Sequence, residues 1–168
     1  PTEIPPAVNA LKGSSSVLTV LTDAENPALK QAAATLALAL GLQRNPIVAE
    51  AELNRQLLVS HDLLIIGRPA DPDLLRKLPA RVKIQPQSFS IDTVEYDGIS
   101  DAFFGVFDHP YAQNRVAALF WPLSWAAADT VAAKITHYGK YGYLTFKGVN
   151  NSDKGFWPVE KSPLVYQW

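Results

Sequence analysis

Four short apolar runs constrain this chain more than any other feature. Residues 16–21 read SVLTVL, 62–67 DLLIIG, 115–121 RVAALFW and 141–146 YGYLTF. Each is rich in β-branched or aromatic residues and stays apolar without strict alternation, as strands buried on both faces do. Helix signals stand between them. Asn26 followed by Pro27 predicts an N-cap and a first helical turn, and Gly41 predicts its C-terminal stop. Leu29, Ala33, Leu36 and Leu40 then share one face of a helix that the run AAATLALAL requires to be largely covered. PIVAEA predicts a second strand, residues 51–58 a short helix, and Asp71-Pro72 a second helix start. Strands alternating with helices predict a parallel sheet covered on both faces. The expected fold is therefore α/β, a three-layer sandwich with a mostly parallel, flavodoxin- or Rossmann-like sheet.

The pattern changes after residue 87. SFSIDTVEYDGISDAFFGVF alternates and turns, and Asp97-Gly98 is a turn signal. It predicts an antiparallel hairpin with arms near 88–95 and 101–108. Beyond it, Ser124 is expected to cap a helix of about 13 residues whose inward face is Trp125, Ala128, Val131, Ala132 and Ile135. Residues 115–146 thus read as a further βαβ unit. The tail GFWPVEKSPLVYQW is aromatic, so Phe156, Trp157 and Val165 require cover.

The 168 residues suit one domain, and a chain of this size buries roughly 70% of its unfolded surface without staples. Residues 1–15, opening on Pro1 without methionine, are expected to be a linker of a mature or excised segment, with 16–168 forming the domain. A net charge of -1 with no basic run argues against nucleic acid and anionic membrane surfaces. No apolar run approaches the roughly 20 residues of a membrane-spanning helix. The absence of cysteine excludes disulfides, thiolate zinc and a cysteine nucleophile.

Most catalytic arrangements lack their residues. The turn after the first strand reads TDAENP, with no glycine to admit a pyrophosphate and with Asp23 and Glu25 to repel one. There is no P-loop and no G-x-S-x-G elbow. Ser60-His61-Asp62 holds the residue types of a triad, but neighbours on an extended chain point to alternate sides. His61, His109 and His137 show no ligand spacing, so neither metal nor cofactor is expected. Ligands of open parallel sheets sit beyond the carboxyl ends of the strands. That places a candidate pocket at Thr22, Asp23, Arg68 and Ser124. A candidate loop comprises Asp108, His109, Asn114 and Arg115, in which Arg115 is expected to hold the loop carbonyls or pair with Asp108. Tyr141, Tyr143, Trp157 and Trp168 are candidate surface aromatics for stacking on a sugar.

The second half carries a resemblance. FDHPYAQNRVAALFWPL, KITHYGKYGYLTF and KGFWPVEKSPLVY are similar to accessory α/β segments that follow the catalytic part of bacterial gluzincin peptidases of the aminopeptidase N type. His109, Pro110, Asn114 and Arg115 match their entrance into a strand. The zinc motif of those peptidases is absent from all 168 residues, so no catalytic residue carries over. The resemblance implies a non-catalytic accessory domain of a larger exported, periplasmic or extracellular hydrolase. Its partner would be the catalytic domain of the same chain, on which it packs or for which it places substrate. The alternative is a glycan- or cell-wall-binding module that uses the surface aromatics.

Overall fold

In a computed structural model the described residues are 5–125, 128–148 and 150–158. The first strand, β1 (Val17–Leu21), is buried at every position. The first helix, α1 (Pro27–Leu40), begins and ends where the residues dictate. The Asn26 side chain accepts from the N–H groups of Ala28 and Leu29 at 3.0 and 3.3 Å. Gly41 ends the helix at φ 73°, a left-handed conformation that suits glycine. Short β2 (Ile47–Ala49), the helix α2 (Arg55–Ser60) and β3 (Asp62–Ile66) follow. A 3-10 turn at Pro72–Leu75 is capped by Asp71.

Three short strands come next: β4 (Val82–Ile84), β5 (Phe89–Ile91) and β6 (Val94–Tyr96). Then come β7 (Asp101–Asp108), β8 (Val116–Pro122), α3 (Ala128–Lys134), β9 (Tyr143–Lys147) and β10 (Asn150–Gly155). The main sheet has seven strands in the order β10-β9-β7-β8-β3-β1-β2. Its β2-β1-β3-β8 half is parallel, and its β8-β7-β9-β10 half is antiparallel. A second sheet, β4-β5-β6, is wholly antiparallel.

This corrects the expected three-layer, mostly parallel sandwich: the chain is a mixed fold with more strand than helix. One face of the main sheet carries α1 and α3, packed on Val17, Leu64, Phe104, Phe120 and Phe146. The other carries the small sheet together with short helical turns, packed on Leu18, Ile65, Phe103, Leu119 and Tyr143. Residues 82–96 alternate at the period of a half-buried strand, so they cannot supply the second helical layer.

The expected hairpin is corrected for a related reason. Residues 88–95 do not pair with 101–108. Instead β5 and β6 close on each other around Asp92, at φ 54°, while β7 enters the main sheet. Seven consecutive residues of β7, Asp101 to Phe107, are buried, which is the mark of a central strand and not of a hairpin arm. The unit at 115–146 exists as a crossover, but β7 lies between β8 and β9 and runs against both. The helix expected to run about 13 residues from Ser124 is described as α3 over Ala128–Lys134, followed by a 3-10 turn at Ile135–Tyr138. Ala128, Val131, Ala132 and Ile135 are buried, and Trp125, ahead of the helix, is half-buried with its ring edge-on to Phe120. Part of the expected linker also packs, since Val8 and Leu11 are fully buried in the helical layer.

Phe89 holds the small sheet down. It is fully buried, stacks on Tyr96 at 4.7 Å and meets Phe103 and Trp121 at 5.7 and 6.4 Å. Phe89→Ala is expected to lower unfolding free energy by about 3–5 kcal/mol, since the β4-β5-β6 sheet cannot collapse into the space left behind. Urea denaturation with an unchanged slope is the check.

Candidate functional site

The strand-end pocket expected at Thr22, Asp23, Arg68 and Ser124 is filled at its centre. Thr22 donates its hydroxyl to the Ile66 carbonyl at 2.8 Å, tying the end of β1 to the end of β3. Gly67 follows at φ 92°, where a Cβ would lie 2.2 Å from the Thr22 hydroxyl and 3.2 Å from Leu29. The Trp125 ring closes the same space from the other side. Asp23 and Arg68 are exposed beside this plug and form no ion pair with each other. Ser124 is half-buried. None of the four lines the groove beside Phe156 or the cavity on the small sheet.

The loop between β7 and β8 is brought together, with roles different from those expected. His109 is buried and is the fixed point of the turn. Its Nδ1 accepts from the N–H groups of Tyr111 and Ala112 at 3.0 and 2.9 Å, which leaves Nε2 to donate to the Leu58 carbonyl at 2.7 Å. Burial lowers its pKa, with a smaller lowering from Arg115 partly opposed by Asp62 and by its carbonyl partners. Asn114 takes the left-handed conformation at φ 64°, which asparagine tolerates. Asp108 is exposed. The expected clamp is not Arg115, whose side chain makes no hydrogen bond or ion pair among the described residues. Arg76 takes that part, donating to the Pro110 carbonyl at 3.1 Å. Arg76 and Arg55 both lie over the Tyr111 ring, 5.3 and 5.2 Å from its centre. Sequence reasoning missed this trio because its members are far apart along the chain.

Ser60-His61-Asp62 is not a relay. Ser60 Oγ sits 3.0 Å from His61 Nδ1, but the Asp62 carboxylate accepts from the Val116 N–H at 2.9 Å instead. Among the described residues, no three of His, Asp and Glu gather in a metal-holding group.

The aromatics divide into buried and open. Tyr143 and Trp157 are each 5% exposed, and their rings meet at a tilt of 36° with centroids 4.9 Å apart. Trp157 donates its indole N–H to the Val106 carbonyl. Arg81 lies over the outer face of Tyr143 and pairs with Asp92 at 2.8 Å. Burial raises the Tyr143 pKa further above the neutral range, so the phenol stays protonated. Neither ring is free to receive a sugar. Tyr141 is half-buried and packs on Phe156 at 4.9 Å, and Phe156 is 58% exposed. Trp168 lies outside the described residues.

Phe156 opens onto a groove of about 310 Å³. Its walls come from the start of the described chain (Pro5, Pro6, Ala7), from the turn Gly139-Lys140 with Gly142, and from Phe156 and Trp157. The start is pinned there by backbone bonds from Val8 to Tyr141 and from Asn9 to Gly139, at 3.0 and 2.8 Å. Gly142 is required by close approach: a Cβ would stand 2.7 Å from Trp157 and 3.1 Å from the Pro6 carbonyl. Lys140 and Lys154 lie over Tyr141 and give the rim a positive character. Pro5 and Pro6 were missed because residues 1–15 read as linker, and Lys140 because it meets them only in the fold. The pair of prolines and the glycines of HYGKYGY were the available signals. A second cavity, of about 260 Å³, lies on the small sheet among polar residues such as Lys83, Ser90 and Glu95. No helix described is long and apolar enough to cross a membrane.

No protein-family model and no curated protein matches the chain.

Two substitutions separate the roles assigned here. Arg76→Ala is expected to destabilise by about 1 kcal/mol through the lost carbonyl bond and ring contact, while Arg115→Ala stays within about 0.5 kcal/mol of wild type. Equal losses for the two in thermal unfolding would restore Arg115 as the clamp. Gly142→Ala should destabilise by about 1–3 kcal/mol and shift tryptophan emission, because the Trp157 ring must move aside.

Proposed function

We propose that this chain is a non-catalytic accessory domain of a larger exported hydrolase of the zinc-peptidase type, and that it packs through the Phe156 groove onto the catalytic part of the same polypeptide. The observation that carries this reading is the exposed Phe156 ring in an apolar groove. The groove is walled by Pro5–Ala7, by Gly139, Lys140 and Gly142, and by Phe156 and Trp157. Large exposed aromatics in an apolar setting are characteristic of surfaces that another protein covers. The lysine rim gives such a contact a polar border and an orientation. The resemblance of residues 101–168 to segments that follow a peptidase's catalytic part agrees with an arrangement of this kind.

The glycan-binding reading is weaker on the same geometry. Tyr143 and Trp157 spend their faces on each other, on Arg81 and on the core. Stacking on a sugar needs an open face.

The test uses the full-length protein. Phe156→Glu is expected to loosen the domain from its neighbour, seen as faster proteolysis of the junction and loss of shared thermal unfolding, without unfolding this domain. The isolated chain should hydrolyse neither peptides nor esters. Hydrolysis by the purified chain would overturn the proposal. A tryptophan emission change on adding oligosaccharide, with no effect of Phe156→Glu on the full-length protein, would turn it toward the glycan reading.

A further inference from the structure

His109 is bonded in a way that only its neutral form can satisfy. Two backbone N–H groups, from Tyr111 and Ala112, point at Nδ1, which must therefore present a lone pair. The opposite nitrogen points at a carbonyl, Leu58, and must therefore carry the hydrogen. The residue is 3% exposed, and all three partners of the ring are backbone groups of the protein. Adding a proton to Nδ1 places three donors against one another. The bond to Leu58 survives that change, whereas the two bonds to the turn do not.

We propose that His109 is an acid-sensitive latch: its protonation releases the turn at residues 110–112 while the ring stays tethered to α2 through Leu58. Release of the turn carries Tyr111 away from Arg55 and Arg76, and so uncovers two guanidinium groups on one surface at the moment the loop gains a charge of its own.

The charged and titratable groups around the ring set the direction. Asp62, at the start of β3, favours the charged ring, but its carboxylate is engaged with the Val116 N–H. Arg115, on the loop itself, opposes it. His61 is oriented by the Leu57 carbonyl, and Arg76 holds Pro110. Arg55 stands over Tyr111, and Asp108 is exposed next to the ring in sequence. Burial is the largest influence and keeps the ring neutral. A histidine whose folded value is depressed stabilises the folded form fully above its unfolded value, near pH 6.5. That contribution is lost as the pH falls from there through the folded value. The latch is thus closed at neutral pH and opens only in acid.

The experiment is NMR on the ¹⁵N-labelled chain between about pH 8 and about pH 5. At neutral pH the His109 ring nitrogens should report the Nε2–H tautomer. As the pH falls from about 6.5 toward the point where His109 charges, exchange protection of the Tyr111 and Ala112 amides, normalised for intrinsic rates, should fall about tenfold per pH unit while the β8 amides hold theirs. His109→Asn, which keeps a carbonyl acceptor and removes the titration, should make that protection independent of pH. If this variant does not fold, the wild-type titration decides alone. Three results would each overturn the latch: a neutral His109 ring that carries its hydrogen on Nδ1, Tyr111 and Ala112 protection flat across the range, or loss of their protection only together with β8.

Discussion

Strand β7 is buried on both faces and paired on both sides, and the rest of the molecule is arranged around it. It runs against β8 from Ala102↔Pro122 to Asp108↔Val116 and against β9 from Asp101↔Lys147 to Gly105↔Tyr143. Ala102, Phe104 and Val106 face the helices, while Phe103 and Phe107 face the small sheet. Gly105 makes this possible. The Phe103 ring lies across it, so that a Cβ there would stand 2.6 Å from the ring, and Phe103 in turn meets Phe89. A single glycine thus seats the aromatic cluster that joins the two sheets. The apolar area hidden between the layers, not any one polar contact, supplies the stability of such an arrangement.

Much of the local structure was legible in the sequence because its causes are local. Asn26-Pro27 and Gly41 bound α1, Asp71-Pro72 starts a helical turn, and the four apolar runs are strands. The topology was not legible. A run such as DAFFGVF carries the burial of a central strand, but nothing in it states whether its neighbours run with it or against it. The Asp97-Gly98 signal drew attention away from the actual hairpin turn at Asp92, a residue that tolerates the left-handed conformation without glycine. In the loop between β7 and β8 the carbonyl clamp is Arg76 and not the expected Arg115. Arg76 reaches Pro110 across 34 positions of chain, and no short-range pattern reports such a contact.

The position of the features with chemistry follows from the mixed sheet. In an open parallel sheet the crevice at the carboxyl ends of the strands is the customary place for a ligand. Here that end is plugged by Thr22, Gly67 and Trp125. The aromatic groove and the His109 turn both lie at the opposite rim, where β3, β8 and β9 begin and β7 ends. That rim receives the start of the described chain through Val8 and Asn9 and its end through Trp157.

The dependence of the fold on β7 is open to direct measurement by native-state amide exchange across the main sheet. If β7 is the hub, the amides of Phe103 to Phe107 exchange only through global unfolding, with the full unfolding free energy and the full denaturant dependence. Exchange of those amides through a smaller, local opening, while β1 and β3 keep their protection, would contradict the account. It would make the parallel half of the sheet the independent core and β7 a later addition to it.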